Sequence, residues 1–257
     1  MWTNDKILRI AMEQSARDLS CDAADFLKSE PVFVESKSTD LARKYLKLPF
    51  SCQMVSYGNN IVASTTSDFS EIAKNYLKMT DTSHAFETPS IHLLNRALAP
   101  MGQGICFMAE YFLPDINRLK PLPCVYETRL LGPDDFRELY TPEWSNALCA
   151  DRSHLDLLGV GAYDGERLVG LAACSADCDT MWQIGIDVLP EYRRQGIASA
   201  LTSRLAMEIL DRSRVPFYCA AWCNVKSVRN AIKSGFIPAW VEMTAKPLEF
   251  INDIIKK

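Results

Sequence analysis

Histidine is scarce in this chain of 257 residues, with three in all, and none of its nine cysteines forms a CxxC pair. The usual frame of a structural zinc site is therefore missing. Basic charge is not in excess either. The 28 Lys and Arg stand against 32 Asp and Glu, for a formal net charge of -4, which argues against a nucleic-acid partner or an anionic membrane surface. Any anion site must be local. No apolar run approaches the roughly 20 residues that a bilayer requires. The stretch MWTNDKILRIAMEQSARD carries charges among its apolar residues and lacks the unbroken core of a signal peptide, so cytoplasm is the expected location. Neither GxxxxGK[ST] nor GxGxxG occurs, and nucleotide hydrolysis and hydride transfer lose ground accordingly.

Two looser pairs, Cys174 with Cys178 and Cys219 with Cys223, fall within the wider range of zinc-ligand spacings. However, VPFYCAAW reads as a strand, and four extended residues span roughly 13 Å. His84, His92 and His154 stand far from both pairs in sequence. Thiols acting as small apolar side chains are the better reading, and no metal is expected.

About half of the chain is apolar and a quarter charged, as in ordinary globular proteins. Residues 1–120 read as a mixed α/β domain. Helices are expected from DKILRIAMEQSA, LARKYLKL, SDFSEIAKNYLKM and IHLLNRAL, and strands from PVFVES, SCQMVSY, NIVAST and GICFMAEYFL. Tyr57-Gly58-Asn59-Asn60 reads as a hairpin turn. The proline-interrupted PDINRLKPLP then marks a boundary near Lys120. Residues 121–257 form the second domain. Within it CVYETRLLGPDDFREL predicts a strand leading into a helix. A hairpin turns at Asp164-Gly165, where both positions tolerate positive φ. MWQIGIDVL is a strand, IASALTSRLAMEILDR a helix and VPFYCAAW a strand. NVKSVRNAIKSG is a helix closed by Gly235, and FIPAWVEMTA a final strand.

The segment PEYRRQGIAS lies between a strand and a helix. The first N–H groups of a helix lack intrahelical partners, and the helix dipole adds partial positive charge there. Gly196 lets a ligand approach the main chain, and Ala198 keeps the next position small. Arg193 and Arg194 offer bidentate reach to phosphate oxygens. This is chemistry suited to a pyrophosphate. A solvated surface loop with a glycine turn stands as the alternative.

Arg193-Arg194-Gln195-Gly196-Ile197-Ala198 fits the [QR]-x-x-G-x-[GA] motif of the GNAT (Gcn5-related) N-acetyltransferases. IGIDVLPEYR is similar to that superfamily's fourth strand and turn, and NVKSVRNAIKSGF resembles its asparagine-containing helix with the closing Gly-Phe. The resemblance covers residues about 125 to 246. DLSCDAADF, AEYFLPD and PFYCAAWCN look like a two-domain bacterial group within it. It implies an α/β fold with a mixed sheet, namely a C-terminal acyl-CoA N-acyltransferase domain behind a smaller mixed α/β domain. It also implies acetyl-CoA as co-substrate. The main chain of Ile186 and Val188 would hold pantetheine. The amides from Arg194 through Gln195, Gly196 and Ile197 to Ala198 would hold pyrophosphate, with Arg193 and Arg194 adding charge. Asn224 and Ser227 would meet the ligand from the later helix, although Asn224 also suits a plain N-cap.

The catalytic groups depart from the family. Many members carry a tyrosine, seven residues after the helix asparagine, that protonates the leaving thiolate. Ala231 stands there in this chain. Tyr218 on the preceding strand is a candidate substitute acid, against the competing reading of a core tyrosine. Trp182 stands where some members keep a glutamate base. Asp187 is the nearest carboxylate, although strict alternation places it on the face opposite Ile186 and Val188. The reaction expected is transfer of an acetyl group to a primary amine of a small molecule or peptide by direct attack. The alternatives are a catalytically silent acyl-CoA-binding sensor or interaction module, and an enzyme using a longer acyl group. The first 120 residues either wall the acceptor side of the cleft, stabilise their neighbour or form a homodimer contact.

Overall fold

The computed structural model describes residues 1–256. Along the chain run α1 (Asn4–Leu19), β1 (Val32–Glu35), β2 (Cys52–Ser56), β3 (Val62–Thr65), α2 (Ser70–Met79), α3 (Thr88–Leu98) and β4 (Gln103–Pro114). There follow β5 (Glu127–Leu131), β6 (Asp156–Asp164), β7 (Arg167–Ser175), β8 (Met181–Val188), α4 (Ile197–Asp211) and β9 (Val215–Ala220). The chain ends with α5 (Val225–Lys233), β10 (Phe236–Pro247) and α6 (Leu248–Ile255). The class is mixed α/β, as the sequence implies.

The chain divides into two compact units, one of residues 1–11 and 111–238, the other of residues 12–110 and 239–257. The chain crosses between these units at three points. A strand carries it across at residues 110–111 and again at 238–239, because β4 and β10 each run through both units.

In the unit of residues 12–110 and 239–257 the strand order is β1-β3-β2-β10-β4. β1 pairs parallel to β3, and β2 is antiparallel to both β3 and β10. The expected hairpin joins β2 to β3, with Gly58 at φ +101°. Phe69, Ala73, Tyr76, Leu94 and Leu98 from the helical segments close over Met54, Ala63 and Met243. LARKYLKL forms turns, not the expected helix. The buried Arg43 is drawn out of helical register, its N–H and guanidinium bonding Asp18 and its far nitrogen reaching Glu242 at 2.9 Å. Charge-assisted bonds to buried carboxylates outweigh a helix preference of a few tenths of a kcal/mol per residue.

In the unit of residues 1–11 and 111–238 the order is β4-β9-β8-β7-β6-β5. A two-residue turn at Gly165-Glu166 joins β6 to β7, one position later than expected: Asp164 ends β6 and pairs with Arg167, and of the expected two turn residues only Gly165 takes positive φ, at +61°. One sheet face carries Leu201, Leu205 and Ile209 of α4 against Val160, Val169 and Ile184. The other carries Phe136, Trp144, Ala147 and Leu148 against Leu131, Leu171 and Ala173. After β5 the chain makes a 3₁₀ turn over Pro133–Phe136 in place of the expected α-helix. Phe136 is fully buried with its ring over Gly159, where a Cβ would sit 3.0 Å from it. That single anchor fixes the segment before a second helical turn can form.

Candidate active site

β8 and β9 run parallel and are paired only at Met181–Val215, Trp182–Pro216 and Gln183–Phe217. Beyond that point β8 continues for Ile184–Val188 and β9 for Tyr218–Ala220 without a pairing between them. A gap therefore opens along the C-terminal half of β8.

The main-chain groups facing this gap follow from alternation. Thr180 O accepts from Val215 N of β9, and Leu189 N donates to Val169 O of β7. Even-numbered residues of β8 therefore direct N–H and C=O toward β9, and odd-numbered ones toward β7. Ile184, Ile186 and Val188 line the gap with main chain. Val188 O already accepts from Arg193 Nε at 2.9 Å. The side chains of Ile186 and Val188 pack toward the α4 face.

At the end of β8 the chain enters a 3₁₀ turn, Pro190–Tyr192, and reaches the start of α4. Arg194 has φ +66° and Gly196, the N-cap of α4, has φ +85°. Alternating left-handed residues point successive N–H groups to one side, a concavity that favours anions. No side chain caps α4, whose first capping bond runs from Ala200 N to Gly196 O. A Cβ built on Gly196 would meet nothing within 4 Å except Lys233 Nζ at 3.9 Å. The approach to these amides is open. A non-glycine residue at positive φ, as at Arg194, is strained backbone of the kind that concentrates at ligand sites. Arg193 and Arg194 are exposed and form no ion pair among the described residues. Glu191, the one carboxylate in the loop, is bonded to Arg167. Gln195 is exposed and accepts from Tyr126. Ile197 is buried against the core, and Ala198 is half-buried on the first turn.

The structure brings the loop residues together with Ile186 and Val188 along one chain path. Asn224 caps α5, its Oδ1 accepting from Ser227 N at 3.2 Å. The Ser227 hydroxyl lies 2.7 Å from that of Tyr218.

The two catalytic candidates are engaged elsewhere. Asp187 lies on the opposite sheet face, as alternation implies. Its carboxylate accepts from Asn146 N and Nδ2 and from Ala147 N, at 2.7–2.9 Å. It thus fastens the segment around Trp144–Leu148 to β8. Gly185 lies on the same face so close to that segment that an added Cβ would stand 1.9 Å from Asn146 O. Tyr218 is 3% exposed and lies among Phe112 and Phe236, and burial pushes its hydroxyl above the usual tyrosine value. A buried phenol that resists ionisation is a poor proton donor. Ala231, in the position of the family tyrosine, is fully buried.

Sequence reasoning missed Lys233 and the Asn146–Ala147 anchor. The only local signal for the latter is a glycine inside the strand IGIDV. Cys174 and Cys178 are buried, and burial raises the Cys174 thiol. Among the described residues no group of three or more His, Cys, Asp or Glu could hold a metal ion. No helix among them is long and apolar enough to cross a membrane.

No curated protein matches the sequence. Three solved structures are similar to parts of the chain. A GNAT-family protein from Novosphingobium aromaticivorans is 17% identical, with a TM-score of 0.43 over 56% of this chain and 66% of that one. A GCN5-related N-acetyltransferase-like protein from Streptococcus suis is 21% identical, with a TM-score of 0.46 over 60% and 69%. A GCN5-related N-acetyltransferase from Kribbella flavida is 15% identical, with a TM-score of 0.45 over 58% and 62%. Residues 118–239 match the model of the GNAT acetyltransferase family. That stretch holds the gap between β8 and β9, the loop with its two left-handed residues, and α5. Over residues 118–239, just under half of its length, this chain is similar to the GNAT acetyltransferase family.

Proposed function

We propose that the protein transfers an acetyl group from acetyl-CoA to a primary amine of a small molecule or peptide. The observation that carries this reading is the unpaired edge of β8 running directly into an uncapped helix N-terminus. An amide-bearing chain ending in a pyrophosphate has complementary chemistry. The main-chain groups of Ile186 and Val188 would hold the pantetheine amides. The amides from Arg194 to Ala198, with the two arginine charges, would take the pyrophosphate. Asn224 and Ser227 would meet the ligand from α5.

The amine nitrogen attacks the thioester carbonyl, forming the C–N bond as the C–S bond breaks. A β8 N–H facing the gap near Val188 would stabilise the oxyanion that develops on the way. The amine loses a proton and the departing thiolate gains one, so the exchange balances through solvent. Asp187 and Tyr218 are held in other contacts, and the reading assigns the reaction no dedicated side-chain acid. The chemistry then depends on positioning a neutral amine in a partly desolvated gap. Among the described residues none of the nine cysteines is in a disulfide, which is in keeping with a cytoplasmic location.

The same engagement of Asp187 and Tyr218 favours one second reading, a domain that binds acyl-CoA without turning it over. A single experiment separates the two. The full chain is incubated with acetyl-CoA and a panel of amines while free thiol is measured. Amine-dependent thiol release supports transfer. Tight CoA binding without release for any amine supports the binding module.

A further inference from the structure

Lys233 stands in the last turn of α5, outside the loop motif. Its position has an ordinary explanation, since a cation near a helix C-terminus meets favourable charge. Its direction does not. The ammonium reaches toward the N-terminus of a different helix, ending 3.9 Å from the Cβ site of Gly196. There the helix dipole is positive, and Arg193 and Arg194 belong to the same loop. Lys233 is exposed and makes no ion pair among the described residues. Like charges gathered at a positive helix end repel one another unless an anion of more than one charge sits among them.

The geometry points to Lys233 as a third cationic arm of the phosphate cradle, binding the pyrophosphate from the side opposite the loop. This rests on the proposal that the protein binds acyl-CoA, and it names a determinant of that affinity. A lysine suits the task because its compact ammonium can follow a phosphate without the planar match that arginine needs. Gly196 complements it, since any side chain there would stand between the ammonium and the helix amides.

The test is calorimetric titration of the full chain with CoA and with dephospho-CoA, which keeps the pyrophosphate and lacks the 3′-phosphate. Wild type is compared with K233Q, K233R and K226Q at low ionic strength. Circular dichroism confirms that each variant is folded. Lys226 lies about 10 Å along the same helix and controls for the general field. K233Q is expected to weaken both ligands about five- to tenfold, with K233R and K226Q within about twofold of wild type. Unchanged affinity in K233Q would make Lys233 a solvated side chain. An equal loss in K226Q would reduce the effect to net charge. A loss confined to CoA would move the contact to the 3′-phosphate. Each of these outcomes overturns the assignment while leaving CoA binding in place. Failure of the wild type to bind CoA overturns the underlying reading as well.

Discussion

Gly196 is where the site can be tested most sharply, because two substitutions there separate backbone strain from ligand exclusion. Its φ of +85° is disfavoured for any residue with a Cβ, at about 1–2 kcal/mol. Steric conflict adds little, since only the flexible end of Lys233 comes within 4 Å of the added atom. Gly196→Ala should therefore lower unfolding free energy by about 1–2 kcal/mol and leave the domain folded. Gly196→Asp should be no less stable than the alanine variant, because aspartate tolerates a left-handed backbone better than alanine does. Their effects on CoA should diverge. A carboxylate about 5 Å from a pyrophosphate bearing about two charges, at an effective dielectric of about 40, costs about 3 kcal/mol. That corresponds to a roughly 150-fold rise in Kd. Alanine should cost less, through the lost close approach alone. Urea unfolding measures the first quantity and isothermal calorimetry with CoA the second. A folded Gly196→Asp variant that binds CoA within twofold of wild type would refute the cradle.

Joint replacement of Arg193 and Arg194 by alanine should weaken CoA binding and flatten its salt dependence, measured by titration across ionic strengths. Equal affinity at low salt would show the arginines to be merely solvated. Asp187→Ala removes three hydrogen bonds to Asn146 and Ala147 and should cost about 2–4 kcal/mol of stability in urea unfolding. A loss of activity at unchanged stability would instead restore it as a base. Tyr218→Phe should cost about 1 kcal/mol and leave the acetyl-transfer rate within about threefold. A collapse of rate with CoA affinity intact would make its hydroxyl the acid. Arg43→Ala strands the buried carboxylates of Asp18 and Glu242 and should destabilise by about 3–5 kcal/mol, read in thermal or urea melts. A fragment of residues 121–257 should fail to give a cooperative melt, because it lacks the fully buried Phe112, and a sharp transition would refute that.

Local chemistry determines much of this structure. The β6–β7 hairpin, the apolar face of α4 and the glycine that opens it depend on residues within a few positions of one another, so their spacing and turn preference suffice. The anion-binding character of the 193–198 loop is of this kind, since helix polarity and positive φ belong to the segment itself. The folded chain alone decided everything that depended on a distant partner. LARKYLKL has helical periodicity, yet Arg43 answers to Asp18 and Glu242, and the segment turns instead. GPDDFREL is capped like a helix, but Phe136 settles over Gly159 and stops it. LEFINDII forms α6, with Leu248, Ile251 and Ile255 at helical spacing but with no buried residue and no side-chain cap. Asp187 and Tyr218 have the functional groups of a base and an acid. Which donors Asp187 meets, and how deeply Tyr218 lies, is set by segments about 40 and 100 residues away in the chain. Composition and spacing fix what a side chain can do, whereas burial and hydrogen-bond partners, which exist only after long-range packing, fix what it is free to do.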